Sequence, residues 1–239
     1  MTLALGALVL SLAAVPTHAQ SGARDLREIH QRAVYATVRI ATATGTGSGW
    51  LLAQSGRPFI VTNRHVATMV GRNSAAQAYF YRGAAESEVG VPIVRFHLAQ
   101  QADIGILRLL EDPPSTARPV RMRTDTSVTR GERVVLAGNP VDRIQTVLPF
   151  QTTEGVVTGH IAGTDYAQCG QGRNCVVVDA ASFRGSSGGP AFNVTGQLVG
   201  MLWGGPIQRS SAGAVQNPTF SYLIHTRTIA AELSRLQRR

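Results

Sequence analysis

Apolar positions change their period twice along this chain. Residues 23–36 carry Leu26, Ile29, Ala33 and Val34 at helical spacing, with Asp25 and Glu28 near the start, and this predicts a short N-terminal helix within a segment 20–36. From Thr37 onward the pattern becomes short β-branched runs separated by Gly, Pro, Asn or Ser: 38–42, 49–53, 59–62, 78–81, 89–96 and 104–109. These predict an all-β first barrel over 37–112. A polar, proline-containing break, Glu111-Asp112-Pro113-Pro114-Ser115, reads as a linker between two barrels. Further runs at 133–137, 145–147, 155–161, 176–179, 191–192, 198–203 and 220–224 predict a second barrel of similar size over 113–225. In the tail, 226–239, Ile229, Leu233 and Leu236 return to helical spacing and predict a C-terminal helix packed on that barrel.

The opening residues fit neither period. An apolar run from Leu3 to Val15 ends in Thr17-His18-Ala19, with small residues where a signal peptidase cuts, so residues 1–19 read as a signal peptide. Its run of about thirteen residues falls short of the roughly 20 that cross a bilayer, so no transmembrane anchor is expected. The reading implies a periplasmic or secreted protein. Cys169 and Cys175, the only cysteines, lie in a Gly-rich stretch, and in an exported chain they read as a disulfide closing a small loop. No Cys/His cluster has zinc spacing, so no metal site is expected.

Composition narrows the class further. The 239 residues are 44% hydrophobic and 15% charged, enough to bury a core and incompatible with global disorder. The formal charge of +9 is carried by arginine alone, since the chain contains no lysine. Such a balance draws a protein toward acidic surfaces. Local basic runs extend no further than Arg121-Met122-Arg123 and Arg238-Arg239, and none is interleaved with aromatics, so no specific nucleic-acid partner is expected. Polyanion binding stands as a distant reading, in which the charge itself is the function.

The candidate chemistry lies in three words in order: Thr62-Asn63-Arg64-His65, Ala102-Asp103-Ile104-Gly105-Ile106-Leu107 and Gly185-Ser186-Ser187-Gly188-Gly189-Pro190. Nucleophilic catalysis by serine needs a base to take its proton, a carboxylate to hold the base, and N–H donors for the oxyanion. Set beside Gly45-Thr46-Gly47-Ser48-Gly49-Trp50, Gly138-Asn139-Pro140 and Thr153-Glu154-Gly155-Val156-Val157-Thr158-Gly159, these words resemble the trypsin-fold serine proteases, chiefly the HtrA/Deg-like branch and in part the glutamyl endopeptidases.

The resemblance implies two six-stranded antiparallel β-barrels and a serine endopeptidase that needs no cofactor and acts on proteins or peptides. His65 would be the general base, Asp103 its orienting carboxylate and Ser187 the nucleophile. The N–H groups of Gly185 and Ser187 would form the oxyanion hole. Asp179, the rival acid, would be structural or line a pocket. Two departures from the family qualify this picture. Ser186 stands where chymotrypsin-like zymogens hold the Asp that pairs with a new N-terminus, so activation by propeptide cleavage is not expected. Leu202, Trp203 and Gly204 resemble the substrate-pairing wall, and Ala181 stands where trypsin-like enzymes place a charge-reading Asp. No counter-ion is visible in that pocket, which implies preference for small or medium apolar residues before the scissile bond. The length left after the second barrel accommodates no appended PDZ domain, unlike many HtrA/Deg-like proteases. A catalytically silent trypsin-fold binding or chaperone-like module is the alternative reading, and the oligomeric state is left open.

Overall fold

The computed structural model describes residues 25–237 apart from 53–57, 73–75, 84–86, 121, 123–126, 143, 163–168, 170–174, 206, 211–212 and 217–219. The segment read as a signal peptide lies outside the described residues. Helix α1, Leu26–Ala36, starts where Asp25 accepts a hydrogen bond from Arg27 N–H at 3.1 Å, and it buries Ile29, Ala33 and Ala36. An acceptor at this position satisfies one of the otherwise orphaned N–H groups of the first turn.

The first barrel comprises β1 (Thr37–Thr42), β2 (Gly45–Leu52), β3 (Phe59–Thr62), the one-turn helix α2 (Arg64–Thr68), β4 (Ala76–Tyr81), β5 (Glu88–Leu98) and β6 (Gly105–Leu109). Antiparallel pairing in the order β1-β2-β3-β6-β5-β4 closes the sheet on itself, which leaves no exposed edge. Val38, Ile40, Ile60, Phe80, Ile93 and Leu107 fill its interior. The second barrel uses β7 (Arg133–Gly138), β8 (Gln151–Ile161), β9 (Cys175–Val178), β10 (Pro190–Asn193) and β11 (Leu198–Gly204). A hairpin of β12 (Ile207–Ser210) and β13 (Gly213–Gln216) stands apart from the barrel. The strand β14 (Ser221–His225) completes the closed order β10-β11-β14-β9-β8-β7, and helix α3 (Thr226–Gln237) ends the fold. The fold is therefore two closed six-stranded antiparallel β-barrels with a helix at each end.

One expected strand is absent. Residues 145–147 form a loop whose only ladder contact is the isolated bridge of Val141 to Val147, and β8 begins at Gln151. The Asp142 carboxylate accepts from the N–H groups of Ile144 and Thr146 at 3.0 and 2.7 Å, a local turn that competes with strand pairing. Positive φ at Gln145 and Phe150 completes the break. Conversely, β8 starts four residues before the expected 155, because its first half is polar and carries no apolar alternation.

A third apolar cluster joins the two halves. It contains Ile29 of α1, Trp50 and Val61 of the first barrel, Val135, Phe192 and Met201 of the second, and Ile229 of α3. Polar contacts fix α1 on the second barrel. His30 binds Thr152 Oγ1 through Nδ1 and the Glu154 carboxylate through Nε2, each at 2.7 Å, and Arg133 reaches the same carboxylate at 3.0 Å. The hydrogen bond from His30, reinforced by Arg133, holds the Glu154 carboxyl below the ordinary carboxylate range.

A group with a depressed native pKa contributes stability that is present above its unfolded value and disappears as pH falls through the native one. Glu154 is well exposed, so the effect is screened and small. The thermal midpoint of Glu154→Ala is expected about 1–3 °C below wild type at pH 6–7, with the gap closing toward pH 3. Calorimetry across that range checks it, and a gap that persists at pH 3 excludes an ionised Glu154 as its source.

Candidate active site

On the first barrel, α2 begins directly after β3 and carries His65 in its first turn. Its N-terminus receives no side-chain hydrogen bond from the cap residue Asn63. Asp103, just before β6, supplies the acceptor instead: Oδ1 takes the His65 backbone N–H at 2.9 Å while Oδ2 meets the ring Nδ1 at 2.7 Å. A carboxylate accepts only, so Nδ1 carries the proton and Nε2 presents its lone pair. The Asp103 side chain is 10% exposed and that of His65 is 51% exposed, so the acid is sheltered and the imidazole faces solvent. Asn63 Nδ2 donates to the Asp103 carbonyl at 3.1 Å and fixes the acid's backbone as well. Gly105 keeps this arrangement tight, because a Cβ there would strike the Ala67 methyl of α2.

Ser187 lies on the loop entering β10. Its carbonyl accepts from Ser48 N–H of β2 at 2.9 Å, and its hydroxyl donates to the Trp203 carbonyl of β11 at 3.1 Å. The structure thus pairs His65 with Asp103 and places the Ser187 hydroxyl on the Trp203 carbonyl. It forms no hydrogen bond between Ser187 and His65. The loop around Ser187 is held through its carbonyls: Arg184 C=O accepts from Val141 N–H at 2.7 Å, and Ser186 C=O from Gly189 N–H at 3.0 Å. Because a trans peptide points its N–H opposite its C=O, these contacts turn the N–H groups of Gly185 and Ser187 the other way. No acceptor among the described residues takes either one. N–H groups without an acceptor are what a developing oxyanion requires.

The surroundings differ from expectation at one position. Leu202 is 2% exposed and belongs to the second-barrel core, so its side chain does not line a substrate wall. A register shift in β11 between Leu202 and Gly204 turns the chain at Trp203. There the half-buried Trp203 ring stacks on Tyr222, with centroids 5.9 Å apart, and a Cβ on Gly204 would meet no described residue within 4 Å. Ala181 is half-buried, and its carbonyl accepts from Thr153 Oγ1 at 3.0 Å. Asp179 accepts from Val156 N–H at 2.6 Å and so secures the pairing of β8 with β9. Cys169 and Cys175 are disulfide-bonded, with Cα atoms 5.4 Å apart.

The other described histidines serve packing. His97 binds Glu232 of α3 at 2.9 Å, and His160 lies 6.5 Å from the His225 ring. Burial lowers the pKa of His160, with the Arg130 charge adding to it.

The glycine-flanked words in the sequence contain Ser48 and Asn139, to which sequence reasoning gives no role. The structure places both at the contact between the barrels, 0% exposed. Ser48 Oγ donates to Gly185 C=O at 2.8 Å and accepts from Asn139 N–H and Nδ2 at 2.9 and 3.0 Å. Asn139 Oδ1 in turn accepts from Phe150 N–H at 2.9 Å. The available signal was a polar residue beside glycine within an apolar strand, in Gly47-Ser48-Gly49 and Gly138-Asn139.

Residues 47–201 match the trypsin-like peptidase domain family. The serine protease Do-like HtrA of Bacillus subtilis is 29% identical over 67% of this chain and 33% of its own length. A probable periplasmic serine endoprotease, DegP-like, of Rhizobium meliloti is 32% identical over 65% of this chain and 27% of its own. The chain therefore spans about a third of the length of the curated relatives it matches. Among solved structures, the serine endoprotease from Yersinia pestis superposes with a TM-score of 0.66 at 18% identity, covering 90% of this chain and 67% of the other.

Gly188 tests how closely the two halves must meet. Its φ is +91°, and a Cβ would fall on Ser48 C=O and Thr62 Oγ1. Gly188→Ala is expected to lower unfolding stability by at least about 2 kcal/mol, combining backbone strain with a forced separation of the barrels. Urea unfolding measures it, and a variant as stable as wild type would show that the contact is not tight.

Proposed function

The chain belongs to the trypsin-like peptidase family, on its HtrA/Deg-like side, and we propose that it is an exported serine endopeptidase acting on proteins or peptides. The reading rests on the two-point hold of Asp103 on His65, which fixes the tautomer a general base requires. The Ser187 hydroxyl leaves Trp203 C=O by rotating about its Cα–Cβ bond and turns to Nε2. Catalytic hydrogen bonds often tighten only when substrate is bound. Ser187 Oγ then attacks the substrate carbonyl while His65 takes its proton, and the oxyanion settles on the N–H groups of Gly185 and Ser187. His65 next passes that proton to the departing amine. Water, deprotonated by the same ring, releases the acyl group and regenerates Ser187.

The periplasmic name of the Rhizobium relative and the Cys169–Cys175 disulfide both support an oxidising compartment outside the cytoplasm. Trp203, Gly204 and the uncharged Ala181 support a preference for small or medium apolar residues before the scissile bond. The Ser187 hydroxyl resting on Trp203 favours one competing reading, a catalytically silent binding module.

Labelling of the mature protein with a fluorophosphonate probe separates the two. The probe is expected on Ser187 by mass spectrometry, and both Ser187→Ala and His65→Ala are expected to abolish it. Asp103→Asn is expected to lower kcat by about 10⁴-fold through the wrong imidazole tautomer. A folded wild type that takes no label supports the silent module.

A further inference from the structure

We infer that Ser48 is a positioning residue for the proposed oxyanion hole, acting on it from the opposite barrel; the inference rests on the peptidase reading. The loop that carries the two free N–H donors belongs to the second barrel, and Ser48 belongs to β2 of the first. Ser48 nonetheless holds two of that loop's carbonyls. Its hydroxyl donates to Gly185 C=O at 2.8 Å, and its backbone N–H donates to Ser187 C=O at 2.9 Å.

The hydroxyl has no freedom to do otherwise. A serine oxygen has two lone pairs and one proton. Asn139 fills both lone pairs, donating its backbone N–H at 2.9 Å and its side-chain Nδ2 at 3.0 Å. The proton is thereby directed to Gly185 C=O. Asn139 is itself held, with Nδ2 on Val38 C=O at 3.1 Å and Oδ1 receiving Phe150 N–H at 2.9 Å. Both residues are fully buried, so no water competes for these bonds.

What the hydroxyl holds is a glycine link of the loop. Gly185 sits at φ +91°, a conformation that glycine leaves at little cost. With its carbonyl released, the Gly185–Ser186 peptide is held by Ser186 N–H on Phe183 C=O at 3.0 Å and the Arg184–Gly185 peptide by Val141 N–H on Arg184 C=O at 2.7 Å, and rotation at the glycine between these two ties changes the aim of the Gly185 N–H relative to that of Ser187. Asp103 and His65 would be untouched by that rotation, and so would the Trp203 wall. Ser48 thus acts on the transition state through the orientation of a neighbouring N–H and makes no contact with substrate.

The test compares wild type, Ser48→Ala and Ser48→Cys on a fluorogenic apolar peptide, with circular dichroism and thermal melts to verify folding. Folded Ser48→Ala is expected to lose about 10²-fold in kcat, the scale of one missing oxyanion donor, with KM within about threefold of wild type. Inhibition by a peptide boronic acid, which places a tetrahedral oxygen in the hole, is expected to weaken in step with kcat. Affinity for the cleaved product peptide is expected to hold. Ser48→Cys, nearly the same shape with a weaker donor, is expected to fall between the two, and it decides the matter if the alanine variant does not fold. Wild-type kcat in either folded variant, or parallel losses in kcat and product affinity, overturns the inference while leaving the peptidase reading intact. A wild type inert toward both substrate and fluorophosphonate overturns the reading and the inference together.

Discussion

Backbone meets backbone where the two barrels join, and most of the site depends on that constraint. Gly188 lies against Ser48 and Thr62 of the first barrel, and Gly189 lies against the Ala137 carbonyl of the second, at distances that exclude any side chain. Interiors are packed to crystal-like density, so such a contact has two settings, made or unmade, with little between them. When it is made, the Ser187 carbonyl reaches Ser48 N–H across the two barrels. The glycines thus set the distance between Ser187, grown on one barrel, and His65, grown on the other.

The acid and base use a different economy. Asp103 replaces the missing cap of a helix too short to be stable alone, and the same carboxylate orients the ring that the helix carries. One buried acid therefore fixes both where His65 begins and which tautomer it adopts. Its own backbone is held by Asn63, the residue immediately before that helix. Local structure and proton chemistry are here the same two hydrogen bonds.

The barrels were largely legible because period-two apolar runs separated by Gly and Pro leave few alternatives. The strand expected at 145–147 failed because Asp142 satisfies that backbone with its own side chain, and a β-branched run does not reveal such competition. At the site, His65, Asp103, Gly185 and Ser187 were legible as ordered words. The Leu202 side chain enters the second-barrel core while Trp203 and Gly204, beside it in β11, are half-buried, and composition carries no mark of where that change falls. Ser48 and Asn139 were visible as letters without a role, because what they do depends on a contact across 91 residues of sequence.

Helix α1 carries a consequence for the order of assembly. Its polar anchors lie on β8, as much as 124 residues later in the chain, while the first barrel lies entirely between them. During vectorial synthesis or export, the first barrel has all its strands before any of those anchors exists. The helix waits for part of its packing, since Ile29 and Ala33 share a cluster with Val135, Phe192 and Met201 of the second barrel. Closing that loop joins α1 with strands that emerge late, so completion of the fold is a long-range event and correspondingly slow. The two barrels are in this sense buckled together by a strap that belongs, in sequence, to neither.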